Sequence, residues 1–170
     1  MKHATFTHQV TVLTPETYVT SLNQATGMEI SQARKRNGMT LAALYARVPF
    51  DTTPTALAAY ELGNTPLSIR QFVDICETID VLPSEILDAA IRQHNSFIEQ
   101  LPVHVDLHLV HHSTRARFLA LKPWARRQLS AYPSVLTMDL PVTTVSSLAN
   151  RIDLPHHAVA QHLAGCYPGT

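Results

Sequence analysis

The chain has 170 residues, enough for one ordinary domain or two small ones, and 45% are hydrophobic, which excludes a disordered tail. Charged residues make up only 15%, and 13 Lys/Arg balance 13 Asp/Glu, which excludes a uniformly basic protein that coats nucleic acid. No apolar run approaches the roughly 18 residues of a membrane helix, the opening MKHATFTHQVTVL lacks the features of a secretory leader, and Cys76 and Cys166 form no metal or disulfide pattern; the expectation is a cytoplasmic protein with reduced thiols.

The charge is unevenly divided. Residues 1–100 hold seven Lys/Arg against ten Asp/Glu; residues 101–170 hold six against three, and seven of the ten histidines. Thr14-Pro15-Glu16 reads as an N-cap, a first-turn proline and a first-turn acid. The helix it opens runs through Tyr18, Val19 and Leu22 and is expected to break near Gly27. A second helix carries Ile30, Ala33 and Arg34 and stops at Asn37-Gly38. Thr40 caps LAALYARV, whose Leu41, Leu44, Tyr45 and Val48 share a face. Thr53 caps the next helix, with Pro54 at its first position and Gly63 as terminator. Ser68 opens IRQFVDICETI, where Ile69, Phe72, Val73, Cys76 and Ile79 recur at helical spacing, and Pro83-Ser84-Glu85 starts a last helix through Ile98. The first half is thus read as a bundle of five or six short helices, and the boundary falls near residues 99–103.

ISQARKRNGMTLAAL, AAYELGN and LSIRQFVDICETIDVLPSEIL, in that order, resemble the helix-turn-helix of Cro-repressor, or XRE, type regulators. Arg34, Gly38, Met39 and Thr40 match the family's opening, and Tyr60, Glu61 and Gly63 match its exit from the recognition helix. The turn VPFDTTPT is longer than the family's commonest one, a feature similar to the BldD-type regulators of actinobacteria. Those bind a cyclic dinucleotide through Arg-Gly-Asp and Arg-x-x-Asp elements; with no Arg-Gly-Asp in this chain, that ligand is not carried over. The resemblance implies an XRE-type DNA-binding domain over 14–99 that acts on double-stranded DNA as a transcriptional regulator in the bacterial nucleoid.

In that docking mode the helix after the turn enters the major groove N-terminal end first. Thr53, Thr55, Ala56 and Ala59 are the expected presented set, with Leu57 and Tyr60 turned inward. The set has no Arg, Lys, Gln or Asn, so bidentate base contacts are not expected. Thr hydroxyls, methyl contacts to thymine and A·T-rich shape remain. Arg34, Lys35, Arg36, Arg47 and Arg70 are the candidates for phosphate contacts, and Arg34 is equally read as an internal ion-pair partner. Asp51 beside this face opposes phosphate. Tyr60 and Glu61 are read as packing and capping residues.

In the second half, PVHVDLHLV alternates strictly. Val103, Val105, Leu107 and Leu109 take one face of a predicted strand, with His104, Asp106 and His108 on the other. STRARFLALKPWARRQLSAY reads as helical, capped by Ser113 or Thr114, with Pro123 a kink or restart. SVLTMDL is a second strand, with the helix crossing over. VTTVSSLANRI and PHHAVAQHLAGC follow as short helices whose Leu148, Leu154, Val159 and Leu163 also fit a second helix-turn-helix. The stretch around Pro123-Trp124-Ala125 resembles the C-terminal part of some actinobacterial XRE-type regulators. The fold class is therefore mainly α, with a smaller α+β region over 102–170 assigned to dimerisation or effector binding. Arg115, Arg117, Lys122, Arg126 and Arg127 make a basic helix, read as a solvated face rather than a contact to flanking DNA.

His104, Asp106, His108, His111 and His112 form the one metal-like cluster. One strand face puts such ligands on the same side, as a zinc site does, and these histidines also suit pH sensing. A second ligand group is not identifiable, so no metal and no cofactor are expected. Cys76 on an apolar stripe reads as inert core, and Cys166 as exposed. No nucleophile–base pair, phosphate loop or paired carboxylates stand out, so no enzyme is expected. The leading expectation is a repressor-like, sequence-specific regulator acting as a homodimer; the alternative is a helical protein–protein interaction module that has lost DNA binding.

Overall fold

A computed structural model describes residues 11–165; Cys166 and the first ten residues lie outside the described residues. The chain divides into two compact units, one of residues 16–98 and one of residues 99–165 joined by residues 11–15. The fold is mainly helical, with a two-stranded antiparallel sheet. Among the described residues no helix is long and apolar enough to cross a membrane.

The N-terminal unit has five helices: α1 (Pro15–Arg36), α2 (Leu41–Tyr45), α3 (Pro54–Glu61), α4 (Ile69–Thr78) and α5 (Pro83–Ile98). Its core joins Ile30 and Ala33 of α1, Leu44 of α2, Leu57 of α3, Ile75 and Cys76 of α4, Ile79, and Ile86 of α5. Burial pushes the Cys76 thiol up to about 11, as expected of an inert core cysteine. The expected break at Gly27 does not occur, and α1 runs through it for 22 residues. The glycine serves packing instead: a Cβ there would collide with the carbonyl oxygens of Tyr60 and Glu61 at the end of α3. Tyr45 does not join the apolar face of α2; the helix lasts only five residues and leaves that side chain exposed. Ser68 caps α4 through a reciprocal capping box with Gln71.

The C-terminal unit holds β1 (Val103–Asp106), α6 (Leu107–His112), a 3₁₀ helix (Ala116–Leu121), α7 (Lys122–Ala131), β2 (Thr137–Leu140), α8 (Val142–Arg151) and α9 (His156–Leu163). β1 and β2 pair antiparallel, Val103 opposite Leu140 and Val105 opposite Met138. Leu13 bridges the other edge of β1 in parallel. The predicted strand through Leu109 ends at Asp106. That carboxylate accepts hydrogen bonds from the His108 and Leu109 amides and so caps α6. Leu107 stays buried, whereas Leu109 is thrown out to solvent. Neither Ser113 nor Thr114 is the N-cap of the next helix: Ser113 closes α6, its amide donating to the Val110 carbonyl, and the 3₁₀ helix is entered from Arg115 without a side-chain cap. Pro123 marks the restart as α7. Phe118, Leu121, Trp124 and Ala125 are buried, while Arg126 and Arg127 are exposed.

Candidate nucleic-acid interface

The geometry of the predicted reading head is set by its two caps. Thr40 has extended backbone and its hydroxyl accepts the Ala43 amide at 3.1 Å, opening α2. Thr53 does the same for α3, accepting the Ala56 amide at 3.1 Å, with Pro54 in the first turn. The first turn of α3 contains no acid. Thr53 and Thr55 are exposed, Ala56 and Ala59 half-buried, and Leu57 fully buried. Asp51, in the preceding turn, is exposed.

The exit from α3 is held more tightly than its entrance. Gly38 and Gly63 both sit in the left-handed region, at φ +66° and +69°. A Cβ on Gly63 would overlap the α1 backbone at Asn23 and Gln24. With Gly27 facing the Tyr60 and Glu61 carbonyls, α1 and the end of α3 touch backbone to backbone. Tyr60 is half-buried and its hydroxyl accepts from Gln71 Nε2 at 3.2 Å. Tyr60 and Glu61 thus pack and brace, and neither is presented to solvent.

Arg34 is the one phosphate candidate that the structure removes. Its side chain is 8% exposed; Nε and Nη2 donate to Glu61 at 2.5 and 2.8 Å, and Nη1 donates to the Met39 carbonyl at 2.7 Å. All its planar donors are turned toward the bundle, so it locks α1, the α1–α2 turn and α3 together. The bond to Glu61 raises the Arg34 pKa above its ordinary value. Burial pushes the Glu61 carboxyl upward, but hydrogen bonds from Arg34 and Ser31 and the charge of Lys35 outweigh this and leave it below the usual carboxylate value. Lys35, Arg36 and Arg47 are exposed. Arg70 is 89% exposed and lies 3.7 Å from Asp74, one turn on.

Several contacts that brace the unit carry no separate signal in the sequence. Ser31 donates to Glu61 at 2.8 Å, and Asn37 Nδ2 donates to the Ile79 carbonyl at 2.6 Å. Ser21 and His94 meet at 3.0 Å inside the unit. The Ser21 hydroxyl also reaches the Tyr18 carbonyl at 3.0 Å. The Ser21–His94 contact ties α1 to α5. An apolar groove of about 350 Å³ lies between α1, α4 and α5, lined by Leu22, Thr26, Tyr60, Ile69, Phe72 and Leu87.

In the C-terminal unit the histidine cluster disperses. His104 Nδ1 pairs with Asp139 across the sheet at 2.7 Å, Asp106 is committed to capping α6, and His112 Nδ1 donates to the His108 carbonyl. No group of three or more His, Cys, Asp or Glu able to hold a metal exists among the described residues. On α9, which the sequence also fits to a second helix-turn-helix, Ala158 to Gln161, Leu163 and Ala164 are buried, while His156, His157 and His162 are half-buried. No family model, curated protein or solved structure matches the chain.

Proposed function

We propose that the chain is a sequence-specific, double-stranded-DNA-binding transcriptional regulator that acts as a homodimer, with the N-terminal unit as its reading head. The observation that carries this is the first turn of α3, capped by Thr53, free of acids and exposed at Thr55, on a helix whose other end is immobilised by Arg34–Glu61 and Gly27. A rigid helix presented by its N-terminus suits major-groove docking. With only Thr hydroxyls and Ala methyls at the tip, direct base readout is modest and A·T-rich shape contributes. Lys35, Arg36, Arg47 and Arg70 supply the phosphate contacts; Arg34 does not.

The test is sequencing of genomic fragments captured by the purified protein at near-physiological salt. A recurrent motif with two similar half-sites is expected, and Thr55→Glu is expected to abolish its recovery while leaving the fold intact. Unchanged recovery by Thr55→Glu would sink this docking. A second reading, a helical protein-interaction module, is favoured by one observation, the apolar groove with Ile69 exposed to 84% at its edge. Recovery of no motif at all, with Ile69→Asp abolishing capture of a protein partner, would favour that reading.

A further inference from the structure

We infer that two copies of the chain join through the outer edge of β2, pairing antiparallel about a two-fold axis at Met138. The backbone directions follow from the inner pairings. The His104 amide donates to the Leu13 carbonyl, and the Leu13 amide to Pro102, so the even-numbered groups of β1 face Leu13. Val103 and Val105 therefore face β2, opposite Leu140 and Met138, and the Leu107 amide continues the same side to the Leu136 carbonyl. It follows that the amides and carbonyls of Thr137 and Asp139 point to the far edge, where both residues are exposed.

Only one register of that edge against itself satisfies its own chemistry. With Met138 opposite Met138 of the second copy, Thr137 and Asp139 exchange backbone hydrogen bonds in both directions. One face then carries Leu136, Met138 and Leu140 against the second copy's Leu140, Met138 and Leu136, an unbroken apolar row. Leu136, at 55% exposure, is the member of that row that its own chain leaves uncovered. The other face sets Asp139, already paired with His104, beside a threonine hydroxyl. Shifting the axis to Asp139 places two aspartates directly opposite, which is destabilising, and sets Thr137 against Pro141, which has no amide. Shifting it to Thr137 requires the Val135 amide, which already donates to the Tyr132 carbonyl at 3.0 Å. The edge is complementary to itself, and the occupant it fits is a second copy of this chain. The inference deepens the two-copy part of the proposed function and is independent of DNA.

Sedimentation without DNA tests it on the full chain, which should run at twice 18.8 kDa. Thr137→Pro removes an outward amide without touching a β1–β2 bond, and the dimer should be lost. In a Cys166→Ser background, Met138→Cys should cross-link the two chains on mild oxidation. Facing residues of a non-hydrogen-bonded pair lie about 4.5 Å apart at Cα, within disulfide reach. A wild-type chain at single mass overturns the proposal, as does a dimer that Thr137→Pro leaves intact and Met138→Cys does not cross-link. Should Thr137→Pro fail to fold, the cross-link decides. A chain that dimerises this way yet captures no DNA motif leaves this inference standing and removes the regulator reading; the reverse result does the opposite.

Discussion

Gly27 and Gly38 are needed for opposite reasons, and substitution separates them. Gly27 lies inside α1, where alanine is favoured over glycine by about 1 kcal/mol on helix propensity. Yet its Cβ would overlap two backbone carbonyls that cannot swing aside as a side chain would. Gly38 has open space around it but a φ of +66°, which a Cβ strains. We predict that Gly38→Ala costs about 1 kcal/mol, whereas Gly27→Ala costs about 3 kcal/mol through overpacking, against the sign of its propensity. Urea midpoints followed by helical circular dichroism check the order; a neutral or stabilising Gly27→Ala would show that α1 does not approach α3 this closely. The same contrast explains what was legible in the sequence at this scale. The turn at Asn37-Gly38 announces itself by local chemistry. Gly27 looks like a breaker because its reason lies more than thirty residues away, in the carbonyls of Tyr60 and Glu61. Arg34 was ambiguous for a related cause: an exposed phosphate clamp and a buried tie to Glu61 have the same local sequence.

At the scale of elements, caps and apolar periodicity located α2, α3, α4 and both strands, and failed where a tertiary contact or a competing local bond intervened. Alternation through Leu109 reads as strand, but Asp106 finds the His108 and Leu109 amides and turns the chain into α6. The spacing of α9 fits a recognition helix and a plain helical hairpin alike, because spacing does not report which face a neighbouring element covers. One consequence is measurable. His162 on α9 stacks on Phe118 of the 3₁₀ helix, with centroids 3.9 Å apart and planes 4° from parallel. Burial, aided by the positive charge of Arg115, lowers its pKa from 6.5 to about 4. The unfolded chain therefore takes up this proton near 6.5 and the folded chain only near 4. Between those values the unfolded state binds more protons, so stability is full above 6.5 and falls as pH falls, by at most about 1.4 kcal/mol per pH unit. Trp124 is the sole tryptophan and is buried in the same unit, so its fluorescence reports this unfolding directly. His162→Phe keeps the stack and removes the titration; its urea midpoint should be flatter than wild type between pH 4.5 and 6.5. Equal slopes would mean that another group carries the acid sensitivity.

For the whole molecule, the charge distribution constrains how the proposed head meets DNA. Residues 16–98 hold six Lys/Arg against nine Asp/Glu, so this unit has no net attraction for phosphate. Under the proposed function, binding rests on a few placed cations, and Arg34 is not among them. Lys35, Arg36, Arg47 and Arg70 leave at most four per copy, the last already near Asp74. Each neutralised phosphate contributes about 0.9 to the slope of log affinity against log salt, which limits one head to a slope of about −3.6. A non-specific basic coat would give a steeper slope and keep much of its affinity on any sequence. We predict a slope within that limit per copy on the captured motif. Lys35→Gln, Arg36→Gln and Arg47→Gln should each reduce it by about one, uniformly across sequences. Arg92→Gln, exposed on α5, should leave it unchanged. Thr55→Glu should act differently, removing the preference among sequences. A slope unmoved by the three substitutions but reduced by Arg126→Gln and Arg127→Gln would transfer the phosphate contacts to α7. The proposed head would then lose its role in DNA binding, even with the α3 tip and its caps intact.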